Sequence, residues 1–516
     1  MARINSNVPS LIARTNLGRA NQDLEVRLQR LATGLQINRG ADNPAGLIIS
    51  ERLRSEVSGL NQAVNNSQRA SSVIATTEGA LAEISDLLNS VRGLVVEAAN
   101  TGAISAEERA ANQLQIDSAI DTITRISNSA SFGGLKLLNG SLDYVVSGLE
   151  SSAISKATIF GANFAGRSQI QVDVNVIASA QTASLFLSAS NIGSPVAAGR
   201  FASTTTIEVA GPLGVQVLEI LSGQTLNSVV QAINAFTAAT GLSASLLNPA
   251  NAASGMRFTS TTYGSNAFAS VRRLNEPAGG GFFRTFAVTG NGAVPDTQSF
   301  SDTAFATGLS AANRDAGRDV SAIVNGTLAN GNGLRLSLQN QTALSLELQL
   351  DGAFATANGS TSTFFITGGG ALYQLGGTIN ASQQTNIGVQ SMAASRLGGT
   401  LINDQLQFLS SIRSGGSTDL NSRQFQHASA ILDTSIDEVS MLRGRLGAFE
   451  RNTLETNVRS LTTAIENLTA SESRIRDADF AEETSKLTRA QILSSASTSV
   501  LSLANQQSQQ VLQLLG

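Results

Sequence analysis

Cysteine is absent from this 516-residue chain. That excludes disulfide bonds, thiol catalysis and thiolate metal ligands. Tryptophan is absent too, and aromatic residues make up only 4%. Histidine occurs once, as His427. A metal cluster or a Ser/His/Asp triad would have to be built around that single imidazole. The plainer reading makes His427 a helix-bundle residue, so no catalysis, metal or cofactor is expected. Charged residues are scarce, at 14% against roughly 25% in an ordinary soluble protein. The formal net charge is −4, and no basic patch stands out, so neither nucleic acid nor a membrane surface is an expected partner. No run of 18 apolar residues exists to span a membrane. The opening residues, MARINSNVPSLIARTNLGR, lack the apolar centre of a secretory signal. The triplets Gly279–Gly281 and Gly368–Gly370 lack the lysine of a phosphate-binding loop and read as loops. Taken alone, these absences suggest a cytoplasmic protein.

Ser, Thr, Asn, Gln, Gly and Ala fill the space, and a chain of this length holds about three or four domains. The last stretch, Ser471–Gly516, has no proline and only the terminal glycine. Leu493, Ala496, Val500 and Leu503 recur at helical spacing, and Val511 and Leu514 resume the stripe. This predicts a helix with an apolar seam that needs a partner helix. The matching stretch lies at the other end, where Leu17, Leu24, Leu28, Leu31 and Leu35 form a seam and Asn21 takes one position. Gly34 weakens that helix near its end.

Gly40–Gly46 is turn chemistry, with Pro44 suited to a first helical turn. A long helix follows, from Pro44 to about Asn100. Leu53, Val57, Leu60, Val64, Ile74, Leu81, Leu88 and Val95 repeat about every 3.5 residues, with Ser67 and Ser71 as weak positions. About 55 residues would make a rod of roughly 80 Å. Ser105 and Glu108 form a capping box for the next helix, lined by Ile116, Ile120 and Ile123. The acidic pairs Glu107-Glu108 and Glu482-Glu483 suit the positive ends of helices. Asn139-Gly140 predicts a hairpin turn before the strand-like Leu142–Val146. From about 150 to 385, short alternating runs such as Gln169–Val174 and Leu334–Leu338 predict half-buried strands. One helix is expected among them, over Thr225–Thr240. Helical periodicity returns near Asp419 with Phe425, Leu432, Val439, Leu442, Leu446 and Phe449. It slips in phase before Leu454, then continues through Val458, Leu461, Ile465 and Leu468. Thr469–Ser473 reads as the joint to the last helix.

Two blocks carry a family resemblance. The run Ser473–Glu483, with Ala490–Leu493 and Ala504–Gln506, closely resembles the carboxy-terminal signature of bacterial flagellins. Leu35–Glu51, LQINRGADNPAGLIISE, resembles their amino-terminal signature. Residues 203–275 resemble, more loosely, a strand–helix–strand insert of some flagellin middle regions. The HExxH motif of the metalloprotease flagellins is missing.

The resemblance implies a structural subunit of the hollow flagellar filament used for swimming, secreted through the flagellum's own export apparatus without a cleaved signal. The resemblance implies no enzymatic activity. Its implied partners are further copies of itself, a flagellin chaperone, and the hook-associated and cap proteins. The implied architecture is mainly α at both ends with a β-rich inserted centre, a multidomain α+β chain. Residues 1–43 and 470–516 would form a terminal coiled coil. Residues 44–149 and 386–469 would form a helical bundle with a small hairpin, and 150–385 a β-rich variable region projecting outward. The two terminal seams would meet between subunits. Asn505, Ser508 and Gln509 would line the channel as an uncharged polar wall. Innate receptor recognition, implied for the segment holding Ser90 and Leu94 and for Gln115, is weakened. The usual pattern carries Arg where this chain has Ser90, and Glu where it has Gln115. A hook–filament junction protein and a glycan-binding adhesin are the alternative readings.

Overall fold

Helix α1, Val8–Thr33, begins where the Asn7 side chain accepts the Ser10 N–H at 3.0 Å. It ends at Gly34, whose left-handed backbone (φ 71°) lets its N–H reach the Arg30 carbonyl. The computed structural model describes residues 7–164, 166–188, 199–250, 254–275, 283–288, 308–340, 344–402 and 405–513. The other helices are α2 (Pro44–Ala99), α3 (Ala106–Ser129), α4 (Leu226–Asn234), α5 (Thr237–Thr240), α6 (Gly352–Thr356), α7 (Phe425–Phe449), α8 (Glu455–Arg476) and α9 (Phe480–Gln513). The chain thus runs helices, strands, helices, as its periodicity predicts. It divides into two compact units. One comprises residues 1–72, 373–384 and 448–516, the other 73–372 and 385–447.

In the first unit α1 pairs with α9. The crossing from α8 to α9 is a short extended link, Asp477–Asp479. Leu35 and Asp477 form a β-bridge there, flanked by Gln36 N–H to the Arg476 carbonyl at 2.7 Å and Ala478 N–H to the Gly34 carbonyl at 2.9 Å. The joint is therefore later than Thr469–Ser473. It falls where the Asp479 carboxylate caps the N–H groups of Ala481 and Glu482. The part of α2 in this unit is tied to α8 by Asn457 with Ser67 and an Arg476–Glu51 ion pair, and to the turn before α8 by Ser71 with Glu450.

In the second unit the rest of α2 buries Ile74, Leu81, Ile84, Leu88, Val91, Val95 and Ala98. α3 contributes Ile116, Ile120 and Ile123, and α7 contributes Ile431, Leu432, Val439, Leu442 and Leu446. The Ser105–Glu108 capping box forms. Buried Gln113 donates to the Ile412 carbonyl at 2.9 Å and accepts the Leu420 N–H at 2.8 Å, holding the approach to α7 on α3. The expected phase slip is a π-helical turn, Glu450–Leu454, between α7 and α8. The step from Phe449 to Leu454 is one residue too long for an α-helical repeat, and the wider turn absorbs it.

Among the described residues, four larger antiparallel sheets form the middle, in two face-packed pairs. One sheet orders its strands 327–328, 321–324, 170–178, 361–369, 144–147; its partner orders them 330–332, 335–340, 344–350, 154–162. Val172, Val174, Val176, Phe364, Leu336, Leu338, Leu346 and Leu348 fill the space between. The second pair orders 309–311, 285–288, 182–188, 255–263, 242–246 in one sheet and 314–316, 268–273, 205–211, 214–220 in the other. Leu185, Leu187, Ile207, Val209, Phe258 and Val271 share its core with Val229 and Ile233 of α4. The helix expected over 225–240 is there, capped by Thr225 and broken between α4 and α5. The hairpin expected at Asn139-Gly140 is instead at Gly133-Gly134, where two positive φ angles let Ser131–Phe132 pair with Leu135–Lys136. Asn139-Gly140 is a turn, and Tyr144–Ser147 pairs with the distant strand 361–369.

Candidate assembly interface

The terminal pair is built from two heptad stripes running antiparallel. On α1 the covered positions are Ser10, Ala13, Leu17, Ala20, Leu24, Arg27 and Leu31; on α9 they are Glu483, Leu487, Ala490, Ser494, Ser497, Leu501 and Ala504. Steps of three and four keep both rows in register over seven layers. Small side chains dominate the α9 row. Polar bonds fix the register: Asn7 Nδ2 donates to the Ala504 carbonyl at 3.1 Å, and Ser494 Oγ donates to Asn21 Oδ1 at 2.8 Å.

A buried ion cluster sits near the other end of the pair. The Glu483 carboxylate accepts from Arg27 through both oxygens at 3.1 Å and from Arg30 at 3.3 Å. Its side chain is only 5% exposed. Burial disfavours its charged form, but the bonds from Arg27 and Arg30 outweigh that and hold its carboxyl below the usual range. The Arg27 guanidinium moves the complementary way. Burial opposes its charge, but its bonds and proximity to Glu483 and Asp23 raise its pKa. Sequence reading placed Glu483 at a helix start and no further. The available signal was Arg27, which falls on the stripe between Leu24 and Leu31 and so demands a counter-charge.

The expected seam residues divide. Leu17, Leu24 and Leu31 lie half-buried in the pair, and Leu35 is half-buried at the bridge past the cap. Leu28 is 49% exposed. Leu493, Val500 and Leu503 are 46%, 56% and 59% exposed, because α9 turns a different face to α1. Ile492 lies exposed with them, as do Val8, Leu11 and Ile12 on α1. The side chain of Val511, and Leu514 altogether, lie outside the described residues. Among the expected channel residues, Asn505 and Gln509 are exposed. Asn505 also accepts a hydrogen bond from Ser10 at 2.8 Å, and the Ser508 side chain lies outside the described residues. In the second unit Ser90 and Gln115 are exposed and Leu94 is half-buried.

His427 lies on α7 with its Nδ1 2.9 Å from Gln424 Oε1. Among the described residues, no group of three or more His, Cys, Asp or Glu could hold a metal ion. No described helix is long and apolar enough to cross a membrane.

The bacterial flagellin N-terminal helical region matches residues 4–143, and the bacterial flagellin C-terminal helical region matches 429–515. The chain is 30% identical to the B-type flagellin of Pseudomonas aeruginosa, over 99% of both chains. It is 29% identical to a flagellin of Salmonella rubislaw, again over 99% of each. It is 39% identical to the flagellar filament 30.7 kDa core protein of Treponema maltophilum over 137 residues, which is 27% of this chain and 48% of that one. With identity sustained from end to end, the chain belongs to the bacterial flagellin family, the structural proteins of the flagellar filament.

Proposed function

We propose that this chain polymerises through its terminal helices into the hollow extracellular filament that drives swimming. The observation that carries the reading is the uncovered face of the α1–α9 pair. Within one subunit the pair closes on Ala, Ser and a few Leu, while Leu493, Val500 and Leu503 stay exposed with Ile492 beside them. A stripe of this kind is stabilised when another copy covers it, at about 25 cal/mol per Å² of apolar surface removed from water. The assembly part would be 1–43 with 470–516, the bundle 44–149 with 386–469, and the variable part 150–385. Asn505, Ser508 and Gln509 would form part of a polar channel wall. Export through the flagellar apparatus with a chaperone, and docking to hook-associated and cap proteins, belong to the same reading.

The test is a pair of substitutions. Leu503→Asp places a charge where another copy would desolvate it without a partner, costing on the order of several kcal/mol per subunit. It should abolish filaments while secreted monomer persists. Gln509→Asp should be much milder. Equal filament yields from the two variants would sink the assignment of the stripe.

A further inference from the structure

We infer that the two sheet pairs of the middle are locked in one mutual orientation by a contact beside their covalent crossings, with the Asp319 carboxylate as its pin. The inference concerns the single subunit and does not rest on polymerisation.

The chain crosses between the pairs twice, near Gln181 and near Arg318. The crossings lie side by side, because Gln181 and Arg318 exchange backbone hydrogen bonds. Two adjacent strands make a hinge line. Alone they would leave the second pair free to swing, and relative motion is the ordinary expectation for domains joined so narrowly.

One further turn from each pair meets at the crossings. The turn between strands 255–263 and 268–273 belongs to the second pair, and the turn between 330–332 and 335–340 to the first. Asp319 Oδ1 accepts the Ser265 N–H of the former at 3.0 Å and the Gly333 N–H of the latter at 2.7 Å. A single oxygen atom thus ties both turns. Burial favours the neutral form of Asp319, but the bonds from Gly333 and Ser265 outweigh it and hold its carboxyl below the usual range. Hydrogen bonds to an ionised acceptor are the stronger kind. Tyr263, the last residue of its second-pair strand, packs against the core of the first pair.

Backbone meets backbone around the pin. A Cβ added at Gly264 (φ 104°) would lie 2.7 Å from both Asp319 Oδ1 and Gly333 Cα. One added at Gly317 would lie 2.5 Å from the Gly264 carbonyl oxygen and 2.6 Å from that of Gln181. No side chain fits at either point, so no soft layer separates the pairs there. A swing about the crossings would have to break both Asp319 bonds and withdraw Tyr263 from the first core.

A chain without cysteine accepts spin labels at chosen pairs of sites. Asn227→Cys on α4 reports the second pair, and Asn358→Cys on an exposed turn reports the first. Double electron–electron resonance between them should give one narrow distance distribution. Adding Asp319→Ala should widen it about twofold or more. Asp319→Asn, whose amide oxygen can still accept both N–H groups, should keep it narrow. A reference couple within the second pair, Glu219→Cys with Asn227→Cys, should stay narrow in every variant. A broad distribution with Asp319 intact, or an unchanged width after Asp319→Ala, would overturn the lock. A reference couple that broadens with Asp319→Ala would overturn it too, by assigning Asp319 to the fold of the second pair and not to the joint.

Discussion

One carboxylate decides much of what holds the terminal pair. Glu483 faces Arg27 and Arg30 from α1, with Lys486 3.9 Å away on its own helix and Asp23 on the far side of Arg27. Its folded pKa lies below the ordinary glutamate value of 4.5. A group whose pKa falls on folding stabilises the fold above its unfolded value, and loses that contribution as pH drops through its folded value. The protection factor of amides in α1 near Arg27, with the intrinsic pH dependence of exchange divided out, should therefore be steady above about pH 4.5 and fall in stronger acid. Glu483→Gln leaves two guanidinium groups facing a neutral partner, a loss of roughly 1–3 kcal/mol. The variant should show protection factors about tenfold lower or more at neutral pH, with their fall in acid gone. Identical exchange in the two proteins would show the cluster to be incidental. This cluster was not legible in the sequence. Its partners lie 456 positions apart, and an acidic residue in a first helical turn already has a sufficient local reason to be there.

At the scale of elements, persistent periods were readable and ambiguous ones were not. α2 keeps its repeat for 56 residues, and the phase slip after Phe449 marked the π turn to within a residue. α9 carries two stripes. The Leu and Val stripe is the stronger hydrophobic signal, so it draws attention as the helix-pairing face. The face that meets α1 is made largely of small residues, Ala490, Ser494, Ser497 and Ala504, with Glu483, Leu487 and Leu501 among them. Small side chains permit close approach of two helices, but they leave little trace in a hydrophobicity pattern. The two-residue strands near Gly133-Gly134 failed for a related reason: Asn139-Gly140 is the more conventional turn signal, and only the pairing register rejects it. Removing residues 471–516 should leave the helices of the second unit folded, with their circular dichroism retained, and abolish polymer in sedimentation. Normal filaments from the truncated chain would refute an assembly role for α9.

For the whole molecule, the middle is an insertion within an insertion. The second sheet pair leaves the first at Gln181 and returns at Arg318, and these two residues exchange a pair of backbone hydrogen bonds, each 2.9 Å. Its ends are thus already joined in space. Replacing residues 183–316 with a short Gly/Ser linker should keep the first sheet pair and the helices folded, and filaments should still form with less mass per subunit. Loss of assembly with the remaining fold intact would assign this insert a part in the polymer. The outermost closure works on the opposite scale. The Asn7–Ala504 hydrogen bond joins residues 497 apart in sequence. A contact of such separation can form only once nearly the whole chain exists, and it is the slowest kind to find. The α1–α9 pair is therefore a clasp that fastens last. Until then each terminal helix travels alone, its apolar side chains without their partner, so the finished terminal pair marks a subunit whose every earlier segment has already been made.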